Sequence, residues 1–230
     1  MPSCDGAVPP GPLPSTPALR RTRPLLRGYS HAVAAVAAAP AVVVLAGRAR
    51  SARALAGAAV YGASLVLLFA VSALYHRVFW PDRIRRHIGR LDHSAIFLLI
   101  AGTYTPFCLL LGPGRGDLLL ALVWAGAVLG ILVVVVWAET PKAFRATLYV
   151  VLGWFILPVA PALRAAIGIR ALALLFTGGF FYTVGAVLYS LRRPDPFPTV
   201  FGFHEIFHLL TIIAAVCHFL VVDAAVRAIG

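Results

Sequence analysis

Seven long runs of apolar residues follow one another along the 230-residue chain. They cover roughly residues 30–47, 53–76, 91–112, 117–138, 143–163, 169–190 and 203–226. A helix needs about 20 mainly apolar residues to cross the hydrocarbon core of a bilayer. Short turns rich in Gly and Pro, such as residues 112–116, separate the runs. The pattern predicts an all-α, polytopic membrane protein folded as a seven-transmembrane-helix bundle.

The first part of the chain has a different composition. Six of its first seventeen residues are Pro, and four Arg residues follow by position 27. The basic residues come after the Pro-rich start, and no small-residue cleavage site is evident, so a signal peptide is not favoured. We predict a disordered, Pro/Arg-rich cytoplasmic tail over residues 1–27 and one seven-helix membrane domain over residues 28–230.

The loop charges predict an orientation. With the N-terminus inside, thirteen Lys and Arg residues fall on the cytoplasmic side and seven on the opposite side. Cytoplasmic loops carry the excess of positive charge in membrane proteins. We therefore expect a multi-pass protein of the cell membrane with its N-terminus in the cytoplasm and its C-terminus outside. The cluster Arg48, Arg50 and Arg53 argues against this orientation.

Composition supports a membrane protein and disfavours nucleic acid as a partner. Hydrophobic residues make up 61% of the chain and charged residues only 12%, with a net charge of +12. The basic residues lie mostly between the apolar segments, where the loops of a membrane protein carry positive charge. The three cysteines (Cys4, Cys108 and Cys217) are scattered and indicate neither a disulfide framework nor a CxxC metal site.

Polar residues gather at the cytoplasmic ends of three predicted spans. Ionisable residues inside a membrane are costly and point to function. The second, third and seventh spans contribute Ser72, His76, Asp92, His204 and His208. Because three separate spans place such residues at one depth, we expect a shared site.

The histidines in this set suit Zn²⁺, which imidazole nitrogens bind at about 2.0–2.1 Å. His204 and His208 lie four residues apart and so share one helix face, and His76 can supply a third ligand across the bundle. A bound hydroxide and Asp92 would offset the two charges of the metal. The pattern predicts zinc held by His76, His204 and His208.

The remaining histidines have other interpretations. His93 is more consistent with a boundary or supporting position than with a ligand. His218 lies about 15 Å along the helix from His208, so we interpret it as structural or as part of a polar path. His31 and His87 are expected at an interface and in a loop.

The string "HEIFH" (residues 204–208) also fits the H-E-x-x-H pattern of zinc proteases, with Glu205 as general base. The acidic residue downstream, Asp223, lies about 22 Å from His208 along the helix and cannot complete that site. A bis-His haem site is disfavoured because His204 and His208 share a face. Protease and haem carrier remain alternatives.

Three separated motifs are similar to one known family. "SALYH" (72–76), "LDHSAIFLLIAGTYTP" (91–106) and "HEIFHLLTIIAAVCHF" (204–219) resemble the haemolysin III branch of the progestin and adipoQ receptor family, to which the adiponectin receptors belong. The resemblance implies a buried zinc near the cytoplasmic face, held by the three histidines named above. It also matches Asp92 to an aspartate that holds the zinc-bound water, and Ser72 to the serine ahead of the first histidine.

The resemblance further implies a lipid-directed activity, because related proteins are linked to ceramide hydrolysis. The favoured hypothesis is a zinc-dependent membrane hydrolase that cleaves the amide of a ceramide-type substrate entering between the helices. Asp92 would handle the water, and Ser72 would hydrogen-bond the developing oxyanion. Membrane lipids are the expected partners. The alternative is a non-enzymatic receptor or a pore-forming, cytolytic protein in which zinc is structural.

Overall fold

The computed structural model describes residues 24–137 and 139–229. Within this part the chain is all-helical apart from turns and one isolated bridge between Phe197 and Phe201. The helices are α1 (Tyr29–Gly47), α2 (Ala52–Arg77), α3 (Asp82–Leu111), α4 (Arg115–Val136), α5 (Lys142–Gly153), α6 (Ala160–Leu191) and α7 (Phe203–Ala228), with a 3₁₀ helix at Trp154–Val159. Residues 1–23 of the tail predicted over residues 1–27 lie outside the described residues. Residues 24–27 are described, and the backbone N–H groups of Leu25 and Leu26 are hydrogen-bonded.

Local sequence explains several helix ends. The Ser51 hydroxyl accepts a hydrogen bond of 3.1 Å from the Ala54 backbone N–H and so caps the start of α2. At the other end of the next helix, Gly112 follows α3 with a φ of 72°. Glycine adopts this conformation without the steric penalty of a Cβ atom. Residues 112–114, the first part of the turn predicted over residues 112–116, therefore separate α3 from α4.

Six helical segments of the described chain are long and apolar enough to cross a membrane. They are α1, α2, α3, α4, the continuous stretch Lys142–Leu191, and α7. Large apolar side chains on these helices face outward: Val36 is 76% exposed and Val136 is 80% exposed in the isolated chain. Exposed apolar surface of this extent is typical of contact with lipid. The chain is a polytopic, all-α membrane protein.

The stretch Lys142–Leu191 differs from the two separate runs that the sequence predicts, since its 50 residues form one near-continuous helical segment. Gly168 interrupts it with φ 81° and ψ 168°, at a kink between two helical stretches. The Trp154 indole N–H donates to Thr183 Oγ1 at 3.1 Å, and Lys142 Nζ lies 4.9 Å from the centre of the Tyr189 ring. The two halves therefore pack against each other in antiparallel orientation.

Helix α3 lies at the centre of the bundle and contacts α2, α4, α5, α6 and α7. Small residues let its neighbours approach closely. A Cβ atom added at Gly102 would overlap the Ser64 side chain on α2, and one added at Gly130 on α4 would overlap the Phe97 ring. Since α2 and α7 both pack on α3, residues near the end of α2 and the start of α7 meet beside the first half of α3.

Charged residues tie together the opposite end of the bundle. The buried Asp223 carboxylate on α7 accepts from Arg48 at 2.8 Å and from Arg227 at 2.6 Å. Arg48 follows α1 directly, so this cluster joins the first and last helices. Asp223 is thus engaged far from the histidine cluster, in agreement with the distance expected from the sequence.

Candidate metal centre

Three histidines from two helices converge at one end of the bundle. His76 lies in the last turn of α2, and His204 and His208 lie in the first turns of α7. A four-residue spacing places the two α7 side chains on one face, about 6 Å apart along the helix axis. That face points toward the end of α2, so the structure brings together the three predicted ligands.

The spacing of the imidazole nitrogens fits a single metal ion. His76 Nε2 lies 3.1 Å from His204 Nε2, and one ring nitrogen of each of the three histidines falls within 4.8 Å of the others. Ligand atoms of a tetrahedral ion bound at about 2.0–2.1 Å are separated by about 3.3 Å. The trio could therefore hold a metal ion with little rearrangement.

Burial strengthens this fit. His208 is only 2% exposed, and its Nδ1 has no hydrogen-bond partner among the described residues. Buried polar atoms are normally paired, and each orphan requires an explanation. Neutral imidazole nitrogens in this state are common ligands of transition metals. The imidazoles of His76, His204 and His208 are suited to bind a metal ion.

His31 is part of the cluster's immediate surroundings, a role that the sequence analysis missed. Its ring stacks on His208 with centroids 3.8 Å apart and planes inclined by 5°. Its Nδ1 lies 2.8 Å from Ser72 Oγ, and the contact is buried. The residue is indeed at a helix interface, but this interface adjoins the metal cluster and fixes the orientation of a candidate ligand.

The structure places Ser72 one helical turn before His76, with its hydroxyl bonded to His31. The side chain is buried, and it faces the same cavity as the histidine trio. It does not back-bond to its own helix, in contrast to Ser64, whose hydroxyl donates to the Tyr61 carbonyl at 2.7 Å. Ser72 is therefore positioned beside the cluster through a helix-to-helix contact.

Asp92 approaches the cluster from α3. Its Oδ2 lies 3.8 Å from His76 Nε2 and 3.8 Å from His93 Nδ1. These separations exceed direct hydrogen-bond distance and match a contact bridged by another group. His93 Nδ1 instead contacts the Gly89 carbonyl oxygen at 2.8 Å. The carboxylate is thus close to the candidate ligands without being bonded directly to them.

Glu205 has a different set of contacts. One carboxylate oxygen accepts from the Gly202 backbone N–H at 2.8 Å at the start of α7, and the other pairs with Arg27. A glutamate in the first turn stabilises a helix by capping its free N–H groups and by its favourable interaction with the helix dipole. The carboxylate in the H-E-x-x-H string is therefore engaged in anchoring the start of α7.

The segment before α1 covers the cluster. The backbone N–H groups of Leu25 and Leu26 donate to the carbonyls of Thr199 and Val200 at 3.0 and 3.1 Å. Gly28 follows with φ 80°, and a Cβ atom there would lie 2.7 Å from His76 Cβ. Only glycine allows the chain to pass this closely in that conformation. The segment Pro24–Gly28 is thus fixed against both α2 and the loop that leads into α7.

A cavity of about 880 Å³ extends from the histidine trio into the bundle. Polar residues border it at the metal end, while aromatic side chains such as Tyr104, Phe107 and Phe176 line its interior. His218 lies at the far end, where Nε2 contacts the Leu175 carbonyl oxygen at 3.1 Å. The His218 imidazole therefore contacts the backbone of α6. It is remote from the metal trio (His76, His204 and His208), as the helix spacing predicts.

Comparison with known proteins supports the motif-based resemblance. The sequence model of the family described as Haemolysin-III related matches residues 19–219. The chain belongs to the haemolysin III family. The matched region includes α1 to α6 and the first part of α7, and therefore all three histidines of the trio.

Individual relatives of this haemolysin III family member come from bacteria and mammals. It is 34% identical over 193 residues to Hemolysin-3 of Bacillus cereus, covering 82% of this chain and 84% of the relative. It is 33% identical over 175 residues to the Hemolysin-3 homolog of Bacillus subtilis (strain 168), covering 74% and 81%. The human Monocyte to macrophage differentiation factor is 28% identical over 166 residues, with 70% and 66% covered.

Proposed function

We propose that this protein is a zinc-dependent membrane hydrolase that cleaves the amide bond of a lipid-like, ceramide-type substrate. The observation that carries the proposal is the convergence of His76, His204 and His208 with the Asp92 carboxylate at their edge. The cavity beside them has room for an acyl chain, since sites for molecules of drug size measure about 300–1,000 Å³. Membrane lipids are the expected partners.

The proposed setting is a seven-helix bundle with the N-terminus in the cytoplasm and the C-terminus outside. The antiparallel contacts within Lys142–Leu191 support two crossings there, because 50 helical residues would extend about 75 Å, more than twice the hydrocarbon thickness. Arg48, which argued against this orientation, is paired with Asp223. The trio would then lie near the cytoplasmic surface, where water has access.

Zinc is the proposed metal because three imidazoles match its preference for nitrogen ligands in catalytic sites. When bound, zinc would supply a Lewis acid that polarises a carbonyl group and makes water more acidic. The chain would contribute the ligands His76, His204 and His208. His31, stacked on His208, would hold that ring in place, as supporting residues do around metal ligands.

Asp92 would transfer the proton, and Ser72 would stabilise the negative charge that develops on the carbonyl oxygen. Asp92 would accept a proton from the attacking water, whose oxygen joins the acyl carbon as the C–N bond breaks. The proton would then pass to the leaving nitrogen, giving a carboxylic acid and an amine. If His31 Nδ1–H donates to Ser72 Oγ, the Ser72 hydroxyl, which also contacts the Asp92 carboxylate, would turn its proton to the developing oxyanion.

The test combines metal analysis with turnover of an N-acyl amino alcohol by purified protein. Wild type should contain one zinc per chain, and His208→Ala should lose it. Asp92→Asn should keep the metal but lose at least about a hundredfold in turnover, the lower range for a general base. His87→Ala, an exposed residue on α3, is the control. Metal-free wild type, or full turnover by Asp92→Asn, would refute the hydrolase.

The second candidate function is a pore-forming or receptor protein in which the metal is structural. The names of the two bacterial relatives, which describe them as haemolysins, favour it. In that case Asp92→Asn should retain metal, folding and lysis of erythrocytes, and wild type should show no amide turnover. The same variant therefore distinguishes the two functions.

A further inference from the structure

Basic side chains from two helices line the cavity on the side of the metal trio. They belong to α3 (Arg85, Arg86 and Arg90) and to α5 (Lys142 and Arg145). Positive charge is expected near one face of a membrane protein, but such residues normally extend into water or toward lipid headgroups. Arg85 and Arg86 are exposed, as this expectation predicts, whereas Arg90, Lys142 and Arg145 are partly buried where they border the cavity. The position of these three requires a more specific explanation.

Arg90 and Arg145 are the two that lie deepest. Both side chains are partly buried, and the Nε atom of each is buried without a hydrogen-bond partner among the described residues. Neither residue takes part in any ion pair found within residues 24–137 and 139–229, and the Arg145 side chain contacts that of Tyr189. Partly buried guanidinium groups are usually matched to an anion that they bind through paired N–H donors.

The backbone geometry brings these two arginines to one place. The Tyr149 hydroxyl donates to the His93 carbonyl at 3.1 Å and so joins α5 to α3. Arg145 lies one turn before Tyr149, and Arg90 lies nearly one turn before His93, so both extend from the same side of this contact. The Asp92 carboxylate lies within the same turn of α3. Both arginines border the same cavity as the histidine trio.

We propose that Arg90 and Arg145 bind the phosphate of an acyl lipid, which, resting on the proposed function, makes the substrate class a phosphorylated N-acyl amino alcohol. Basic pockets between membrane helices bind phosphate-containing headgroups in this manner. The apolar interior of the cavity would receive the acyl chain.

The test uses two probes that differ only in the phosphate: N-dodecanoyl-2-aminoethyl phosphate and N-dodecanoyl-2-aminoethanol. Binding to purified full-length protein in an uncharged detergent is measured by native mass spectrometry. Wild type should bind the phosphorylated probe at least about tenfold more tightly, the factor expected from one charge-assisted hydrogen bond. The preference should persist after the metal is chelated. Equal binding of the two probes, or a preference that disappears with the metal, would overturn the proposal.

Substitutions test whether Arg90 and Arg145 cause the preference for the phosphorylated probe. Arg90→Gln combined with Arg145→Gln should abolish the preference for the phosphorylated probe. The matched control pair is Arg83→Gln with Arg192→Gln, two exposed arginines that do not line the cavity, and it should retain the preference. Equal loss in both pairs would show a general effect of surface charge and contradict a specific site. If the first pair aggregates during gel filtration, Arg90→Lys with Arg145→Lys should fold and retain part of the preference.

Competition with inorganic phosphate distinguishes a site for a lipid phosphate headgroup from a site for free phosphate. At the concentration of the lipid probe it should not displace that probe, because it lacks the acyl chain. Displacement would show a site for free phosphate and would refute headgroup binding. Turnover is measured separately. A preference for the phosphorylated probe without amide cleavage would contradict the proposed hydrolase but support the phosphate site. Amide cleavage without that preference would support the hydrolase but contradict the phosphate site.

Discussion

His31 connects the first helix to the metal cluster at the level of single residues. Its ring stacks on a candidate ligand, His208, and its Nδ1 contacts Ser72. One imidazole thus contacts the metal-binding half of the site and the proposed oxyanion donor at the same time. Aromatic stacking fixes ring orientation, while the hydrogen bond fixes the rotation of the ring about its own axis.

Two substitutions at His31 separate these contributions. We expect His31→Ala to lower metal affinity by about 10–100-fold, the usual effect of removing a supporting residue. His31→Phe retains a stacking ring but loses the contact with Ser72, so its affinity should lie between those of His31→Ala and wild type. Competition with a chelator measures the affinities, with exposed His87→Ala as control. Wild-type affinity in His31→Ala would show that the stack is incidental.

At the level of secondary structure, the break at Gly168 is the feature on which the helix arrangement depends. Its combination of φ 81° and ψ 168° belongs to a region that is essentially restricted to glycine. The contact between Trp154 and Thr183 forms only if the chain reverses between these two residues. Gly168 therefore lies at the kink between the two antiparallel halves of the segment.

We expect Gly168→Ala to lower the free energy of unfolding by about 1–3 kcal/mol, the usual cost of such a backbone conformation for a residue with a Cβ atom. Gly153→Ala is the matched control, because a Cβ atom at Gly153 meets no other atom within 4 Å and its φ is not positive. Denaturant unfolding in detergent micelles measures both. Equal stabilities for the two variants would exclude backbone strain at Gly168.

The sequence predicts individual elements better than contacts between them. Apolar runs predict α2, α4 and α7 closely, because span length is a local property of the chain. The metal trio is also predictable, since a four-residue spacing places two histidines on one face. His31 is not, because its partner Ser72 lies 41 residues away and the rotation of α1 against α2 leaves no local signal.

For the molecule as a whole, the candidate metal site and the buried salt-bridge cluster lie at opposite ends of the bundle. The histidine trio (His76, His204 and His208) lies at one end, while Asp223 with Arg48 and Arg227 closes the other. Composition predicts the membrane class, and the motifs predict the location of the site. The Asp223–Arg227 pair is local, but the Arg48–Asp223 pair could not be predicted, because it joins residues near opposite ends of the described chain.

This separation makes Asp223→Asn a test of stability alone. We expect the free energy of unfolding to fall by about 1.5–3 kcal/mol, the range for hydrogen bonds that involve a charged group. Metal content should stay at the wild-type level, because the cluster lies at the opposite end. Glu139→Gln, at an exposed residue between α4 and α5, should change stability by less than about 0.5 kcal/mol. Loss of metal from Asp223→Asn would show that the two ends are coupled.

The fixed path of residues 24–28 has a practical consequence for purifying the protein. Leu25 and Leu26 are hydrogen-bonded to the loop before α7, and Arg27 is paired with Glu205. Any affinity tag attached near Pro24 would therefore begin beside the metal trio, and a polyhistidine tag would bring competing imidazoles within reach of it. Metal stoichiometry is best measured on protein carrying a histidine-free tag after α7, beside Asp223 and away from the site.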